Sequence, residues 1–326
     1  MKIDVNNITK MGFVNIKIND NFDFESEINK LKKKKDITIL AHYYQNDEIQ
    51  KIADFIGDSL FLAQITEKIK SKTILVAGVK FMAETVKILN PAKKVLLPDL
   101  NSGCSLSDSC EYDKFKKFLS LYPNHKVVTY VNTSAKIKSI SDICCTSSNA
   151  KKIVNSFDRE QPLIFAPDKN LGNYIQTVTK RLNMVIWDGS CHVHNNFSFE
   201  KLKKFKTCNP EALVIAHPEC PKHFLDSSNF IGSTSELIEF VNQSKKKKFI
   251  ILTEPGVVFS LKKTNPEKIF FVVPSNNNEN NECNFMRLTT LKKLYLTLKY
   301  EQPEIDIDSE LISKAILPIK RMLELS

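Results

Sequence analysis

The sequence predicts an α/β protein made of three similar three-layer αβα domains with small parallel sheets, arranged around a pseudo-threefold axis. Three observations predict it. A unit of about 87 residues occurs three times, short apolar strands alternate with helical patterns inside each unit, and a cysteine follows the last strand of each.

Each unit opens with an apolar strand that ends in polar residues, at 37–41, 126–130 and 213–217. A helical stretch follows, and a hydroxyl stands 17 residues past each strand end: His42 to Ser59, Tyr130 to Ser147, His217 to Thr234. The second strands, 73–78, 163–167 and 249–253, end before Lys80, Asp168 and Glu254, which lie 38, 38 and 37 residues past the first strand ends. The third strands, 94–98, 184–187 and 269–273, precede Cys104, Cys191 and Cys283. Those cysteines are 87 and 92 residues apart, and the polar insert 276–281 absorbs the excess. The tail reads as two helices, 288–300 and 308–324, with Pro303 between them and Pro318 marking a kink or boundary late in the second. The expected domains are 1–122 with the N-terminal segment, 123–209, and 210–326 with the C-terminal helices.

At 326 residues with 42% hydrophobic and 26% charged, the chain can bury several cores, and Lys, Asn or Asp interrupts every apolar run short of a membrane span. Residues 1–10 are polar and lack the apolar stretch of a secretory signal, so a cytoplasmic protein is expected, its eight cysteines being ligands, catalysts or core fillers rather than disulfides. The net charge of +10 would suit polyanions, but only four basic residues are Arg: Arg159, Arg181, Arg287 and Arg321. The Lys runs 32–35 and 245–248 read as solvated linkers where elements join. Small anionic metabolites are therefore expected, with no nucleic acid and no membrane. Glycine is scarce, eight in all, so those present have backbone tasks. Gly57 and Gly232 precede the hydroxyls, and Gly103 and Gly189 stand close to cysteines with room for a close backbone approach.

In open α/β sheets the ligand lies beyond the carboxyl ends of the strands, against helix N-termini. Three domains around one axis would bring Cys104, Cys191 and Cys283 together as three thiolates. Zinc sites usually show closely spaced ligand pairs, which these cysteines lack, and a 4Fe-4S cluster with its fourth iron open suits three thiolates better. The alternative is three thiols buried in cores. Cys144 and Cys145 read as part of an amphipathic helix, and these two with Cys110, Cys208 and Cys220 read as packing residues. A second constellation is polar: His42-Tyr43-Tyr44, Tyr130-Val-Asn132 and His217-Pro-Glu219, in register with Ser59, Ser147 and Ser233-Thr234. Hydroxyls at helix starts are N-caps first, yet a cap facing a cavity can bind a carboxylate or phosphate. Glu219 is the only carboxylate within these first-strand motifs and is a candidate general acid or base. Asp58, Asp168 and Glu254 are weaker candidates, as helix caps or lysine partners.

These residues resemble the quinolinate synthase family, over roughly Asp36 to Leu298. The resemblance rests on Ala41-His-Tyr-Tyr-Gln45, Gly57-Asp-Ser59, Gly103-Cys-Ser105, Tyr130-Val-Asn-Thr-Ser-Ala135, Cys144-Cys-Thr-Ser147, Ala166-Pro-Asp-Lys-Asn-Leu171, Cys191-His-Val-His194, His217-Pro-Glu-Cys220 and Gly232-Ser-Thr-Ser235. It implies one 4Fe-4S cluster per chain, ligated by Cys104, Cys191 and Cys283. It implies condensation of iminoaspartate, supplied by an L-aspartate oxidase or dehydrogenase, with dihydroxyacetone phosphate. It further implies a substrate pocket of His42, Ser59, Tyr130, Asn132, Ser147, His217, Glu219, Ser233 and Thr234. Glu219 and Tyr44 are then the expected proton-transfer groups, with His42, His217 and Tyr130 beside them. Cys283-Asn-Phe-Met286, after the Asn-rich insert, departs most from the family pattern. Competing readings are other three-cysteine iron-sulfur enzymes, such as the diphthamide-synthesis radical enzymes or the diphosphate reductase of isoprenoid synthesis, and a non-enzymatic metal-binding module.

Overall fold

Strands such as Thr73–Ala77 and Leu163–Ala166 are buried at every residue, the burial of a parallel sheet covered by helices on both faces. A computed structural model describes residues 8, 10–19, 21–277 and 279–326, and in it the strands form three four-stranded, all-parallel sheets. The first contains β1 (Ile37–His42), β2 (Phe55–Gly57), β3 (Thr73–Ala77) and β4 (Lys94–Leu96), in the order β2-β1-β3-β4. The second contains β5 (Lys126–Tyr130), β6 (Ile143–Cys145), β7 (Leu163–Ala166) and β8 (Met184–Ile186), ordered β6-β5-β7-β8. The third contains β9 (Leu213–Ala216), β10 (Phe230–Ile231), β11 (Lys248–Leu252) and β12 (Ile269–Val272), ordered β10-β9-β11-β12. One topology is thus used three times, as the repeats foretell.

Each sheet has one strand more than the sequence shows. The extra strands, β2, β6 and β10, are two or three residues long and carry too little periodicity to be read. Cys144 and Cys145 accordingly lie in β6 and not in a helix. A repeated side-chain clamp pins these short edge strands. Asp54 accepts the N–H of Ile39 at 2.7 Å, Asp142 that of Val127 at 2.8 Å, and Asn229 that of Val214 at 2.8 Å. Each clamp residue also donates its own N–H to the carbonyl of the residue it clamps.

The chain divides into two compact units, Met1–Cys104 with Asn284–Ile316, and Ser105–Cys283 with Leu317–Ser326. The first holds β1–β4. Its core joins Ile39, Leu75, Ala77 and Leu96 to Ile28 of the helix Phe24–Lys35 and to Leu294 and Leu298 of the helix Leu291–Tyr300, each buried side chain contributing about 1.5–3 kcal/mol. The second holds the other two sheets, with one core around Phe115, Val127, Ile137 and Ile164 and another around Leu202, Val214, Phe224 and Ile250.

Several expectations are corrected here. Lys32 to Lys35 are no linker but the last turn of the helix Phe24–Lys35, which Asp23 caps at its start. Cations are favoured at that end of a helix dipole, and Lys32 also pairs with Asp54 and Lys35 with Glu301. Cys208 is exposed at the end of the helix Phe199–Cys208 and packs in no core. The last helix, Ser309–Glu324, continues through Pro318, which is therefore no boundary. No described helix is long and apolar enough to cross a membrane. The polar start, residues 1–10, falls mostly outside the described residues, as does one position of the 276–281 insert.

The clamp gives a direct prediction. Asp142→Ala leaves the Val127 N–H without its acceptor and should cost about 1–3 kcal/mol in denaturant unfolding. Asp142→Asn keeps an acceptor, as Asn229 does, and should cost under about 1 kcal/mol, the worth of the partly exposed Lys126 pair it gives up. Equal losses would show that charge, not the clamp, matters there.

Candidate active site

Parallel strands deliver their last residues to one edge of the sheet, so the polar groups after β5 to β12 meet at strand exits. In the second unit they form one hydrogen-bonded group. Tyr130, the last residue of β5, donates its hydroxyl to Glu219 Oε1 at 2.6 Å. Glu219 Oε2 faces His194 Nδ1 at 3.1 Å, and the other nitrogen of that ring, Nε2, meets Thr253 Oγ1 at 3.0 Å. His217 lies over His194 with ring centroids 4.7 Å apart and reaches Ser147 Oγ through Nε2 at 3.2 Å. Asn170 Nδ2 holds the Glu219 carbonyl at 2.9 Å. Glu219 itself is 3% exposed.

Burial is the largest influence on the Glu219 carboxyl and acts to raise it. His194 and His217, with the hydrogen bonds from His194 and Tyr130, outweigh that and bring it down to about 2. Nearby Asp168 goes the other way: burial first, and the charge of Glu219 second, push its carboxyl well above the usual range. The two carboxyls are thus pushed in opposite directions.

A buried cation supports the Tyr130-Val-Asn132 segment. Lys138 is 0% exposed and donates to the carbonyls of Val131, at 2.8 Å, and Thr133. Asn132 lies between those carbonyls, and its Oδ1 is buried without a hydrogen-bond partner, an acceptor ready for a ligand donor. Ser233 caps the helix Thr234–Gln243 in a reciprocal capping box with Glu236, and Thr234 is buried at its first position.

The first unit carries the other motif residues. His42 ends β1, its Nδ1 accepts the Tyr44 N–H at 3.1 Å, and the two rings meet edge to face at 4.5 Å. Arg287 holds the Tyr44 carbonyl at 2.6 Å. Ser59 opens the helix Ser59–Ile65, whose cap is Asp58. Cys104 ends a loop in which the Ser102 carbonyl accepts the Lys80 N–H at 2.7 Å.

The cysteines divide by environment. No cysteine is in a disulfide. Burial pushes the Cys110 thiol up to about 12 and raises those of Cys144, Cys145 and Cys220, as packing residues require. Cys104, Cys191 and Cys283 are only half-buried, and as soft sulfur donors at loop positions they suit iron. Cys191, His194 and Glu219 could hold a metal ion, their ligand atoms lying within 4.8 Å of one another. Both Glu219 oxygens already have donors, however, and His194 Nδ1 also lies 3.3 Å from Cys191 Sγ. Hydrogen bonding therefore engages all three.

His194, Thr253 and Lys138 escape the sequence reading. Only His194 carries a signal: its spacing from Cys191 puts both on one turn, at the short helix His192–Asn195. Thr253 and Lys138 have no spacing partner that marks them.

The family model described as "Quinolinate synthetase A protein" matches residues 26–324. The chain is 52% identical over 305 residues to a quinolinate synthase from Microcystis aeruginosa, covering 93% of this chain and 95% of that protein. One from Nostoc punctiforme is also 52% identical, over 93% and 94% of the two chains. One from Cyanophora paradoxa is 50% identical over 92% of each.

Lys138→Met should destabilise the protein by about 1–3 kcal/mol for each carbonyl left without a donor. Lys136→Met, on the exposed side of the same turn, should stay within about 0.5 kcal/mol. Denaturant midpoints compare the two, and equal effects would remove Lys138 as the support of the Asn132 segment.

Proposed function

The chain belongs to the quinolinate synthase family, and on that premise we propose that this enzyme is a transferase condensing iminoaspartate with dihydroxyacetone phosphate. Quinolinate, phosphate and two waters leave as the pyridine ring closes. An L-aspartate oxidase or dehydrogenase supplies the imine, and both enzymes work in the cytoplasm. Family membership sets aside the other three-cysteine enzymes and the non-enzymatic module. The observation that carries the reading is the buried Tyr130–Glu219–His194–Thr253 network, with His217 and Ser147 beside it, at strand exits of the second unit.

A 4Fe-4S cluster, one per chain, belongs to this reading, with Cys104, Cys191 and Cys283 as its ligands. When bound it supplies an iron open to substrate oxygen, a Lewis acid that polarises the group about to leave or tautomerise. Support comes from the equal place of the three cysteines in the repeats and from their half-buried thiols, against the buried thiols of Cys110, Cys144, Cys145 and Cys220.

The chain's own residues bind anions and move protons. Both substrates are negatively charged, and His42, Ser59, Asn132, Ser147, Ser233 and Thr234 offer hydroxyl, imidazole and amide groups for their carboxylates and phosphate. Asn132 Oδ1 takes a donor from the substrate, its imine N–H or a hydroxyl. Ring closure needs a proton taken from carbon and protons delivered to departing oxygens. A carboxylate brought down to about 2 stays ionised at neutral pH. Glu219 thus orients the Tyr130 hydroxyl and His194, and its negative charge balances the positive charge on His194 when that ring takes up a proton. Tyr44 is the proton-transfer group of the first unit.

Glu219→Gln keeps the shape and loses the charge. Anaerobically purified variant should show the wild-type cluster spectrum and form quinolinate about 10²–10⁴-fold more slowly. Turnover near the wild-type rate would sink the role given to Glu219. Absence of quinolinate formation by the wild-type protein from the two substrates would sink the function itself.

A further inference from the structure

Two buried carboxyls take no part in the chemistry above. Asp168 and Glu254 stand just beyond β7 and β11, at corresponding places in two sheets, and both are 0% exposed. Each serves the exit loop of the neighbouring strand, β8 or β12. Glu254 Oε2 accepts the Gly256 N–H at 2.6 Å while its Oε1 accepts the N–H of Cys283 at 3.2 Å. Asp168 Oδ1 accepts the Leu171 N–H at 2.7 Å and so caps the helix Lys169–Thr179, while its Oδ2 is buried without a hydrogen-bond partner. The Cys191 loop is drawn hard against this strand end. Asp168 bridges to Gly189 in parallel register, and Lys169 donates its N–H to the Gly189 carbonyl at 2.8 Å. A Cβ on Gly189 would lie 2.4 Å from the Pro167 oxygen, so only glycine permits the approach.

We propose that Asp168 and Glu254 are positioning residues for the Cys191 and Cys283 thiols. Glu254 takes the backbone N–H of Cys283, and Asp168 fixes the strand end to which the Gly189 backbone before Cys191 is bonded, so each sets the direction in which Sγ is presented before any metal arrives. The inference rests on the cluster reading above. A carboxyl withdrawn from water carries a desolvation cost that a serine or asparagine cap would avoid, and the same placement in two sheets argues for a shared task. Loops ordered in advance lose less entropy on binding metal, and outer partners of this kind are worth about ten- to a hundredfold in metal affinity. The first unit is built differently. Sheet register corrects the spacing here: Ile39 and Val127 are the clamped residues, they pair with Leu75 and Ile164, and the place of Asp168 therefore falls on Val79 and not on Lys80. Buried Asp99 steadies that loop by accepting the Asn101 N–H at 2.9 Å and pairing with Lys293.

The test follows iron release to a chelator from the anaerobic holoprotein. Asp168→Ala and Glu254→Ala should lose iron about ten- to a hundredfold faster than wild type. Asp168→Asn and Glu254→Gln keep an acceptor oxygen and should release it near the wild-type rate. Asp142→Ala, which weakens the same unit without touching either loop, should also release iron at the wild-type rate. Alanine variants that hold iron as wild type does, or Asn and Gln variants as leaky as alanine, overturn the proposal. A second measurement needs no variant to fold: in the iron-free full chain the Lys169 and Cys283 amides, which hold the two loops, should exchange slowly, and exchange at open-loop rates overturns the proposal too. Wild-type protein that takes up no iron defeats the cluster reading, and this inference with it. Loss of the alanine effect in an iron-binding wild type defeats this inference alone.

Discussion

A carboxylate taken out of water has to be satisfied where it stands, and the polar end of the second unit is arranged around that need. Glu219 sits at the exit of β9 with Tyr130 from β5 on one oxygen and His194, after β8, on the other. His194 is turned to serve it because Thr253, after β11, takes its second nitrogen. Four strand exits from two sheets thus close on one negative charge. Burial first, and that charge second, push the neighbouring Asp168 carboxyl well above the usual range, since two adjacent buried carboxyls do not both ionise readily.

The threefold use of one sheet supplies rigidity, and differences between the copies supply chemistry. The edge-strand clamp is nearly invariant, with Asp54, Asp142 and Asn229 doing the same work. The first-strand ends diverge into His42, Tyr130 and His217, and only the third copy adds a carboxylate two residues on. The positions after the second strands diverge likewise, with Val79 where the other copies place Asp168 and Glu254. A scaffold that repeats its hydrogen bonds can vary its exit residues freely, because those residues do not hold the sheets together.

Much of this was legible in the sequence, for physical reasons. Strands such as β3 and β7 are buried along their whole length and read as unbroken apolar runs, and the equal spacing of their polar exits exposed Tyr130, Ser147, His217 and Glu219. What stayed hidden was short or depended on context. β2, β6 and β10 are too brief to show a period, so the sequence around Cys144 and Cys145 shows only the helical pattern of its neighbours and hides the strand. The lysines at 32–35 looked like linker charge because nothing local shows that they complement a helix terminus and reach Asp54 and Glu301. Lys138 was silent because a lysine is ordinarily a surface residue, and its burial is set by the two carbonyls it meets.

The central claim is that Glu219 is an ionised carboxylate inside the protein, and it can be tested directly. The infrared difference spectrum between wild type and Glu219→Gln should show an ionised carboxylate at neutral pH that persists on acidification to about pH 4, where an ordinary glutamate is already taking up its proton. A protonated carboxyl at neutral pH would contradict the account.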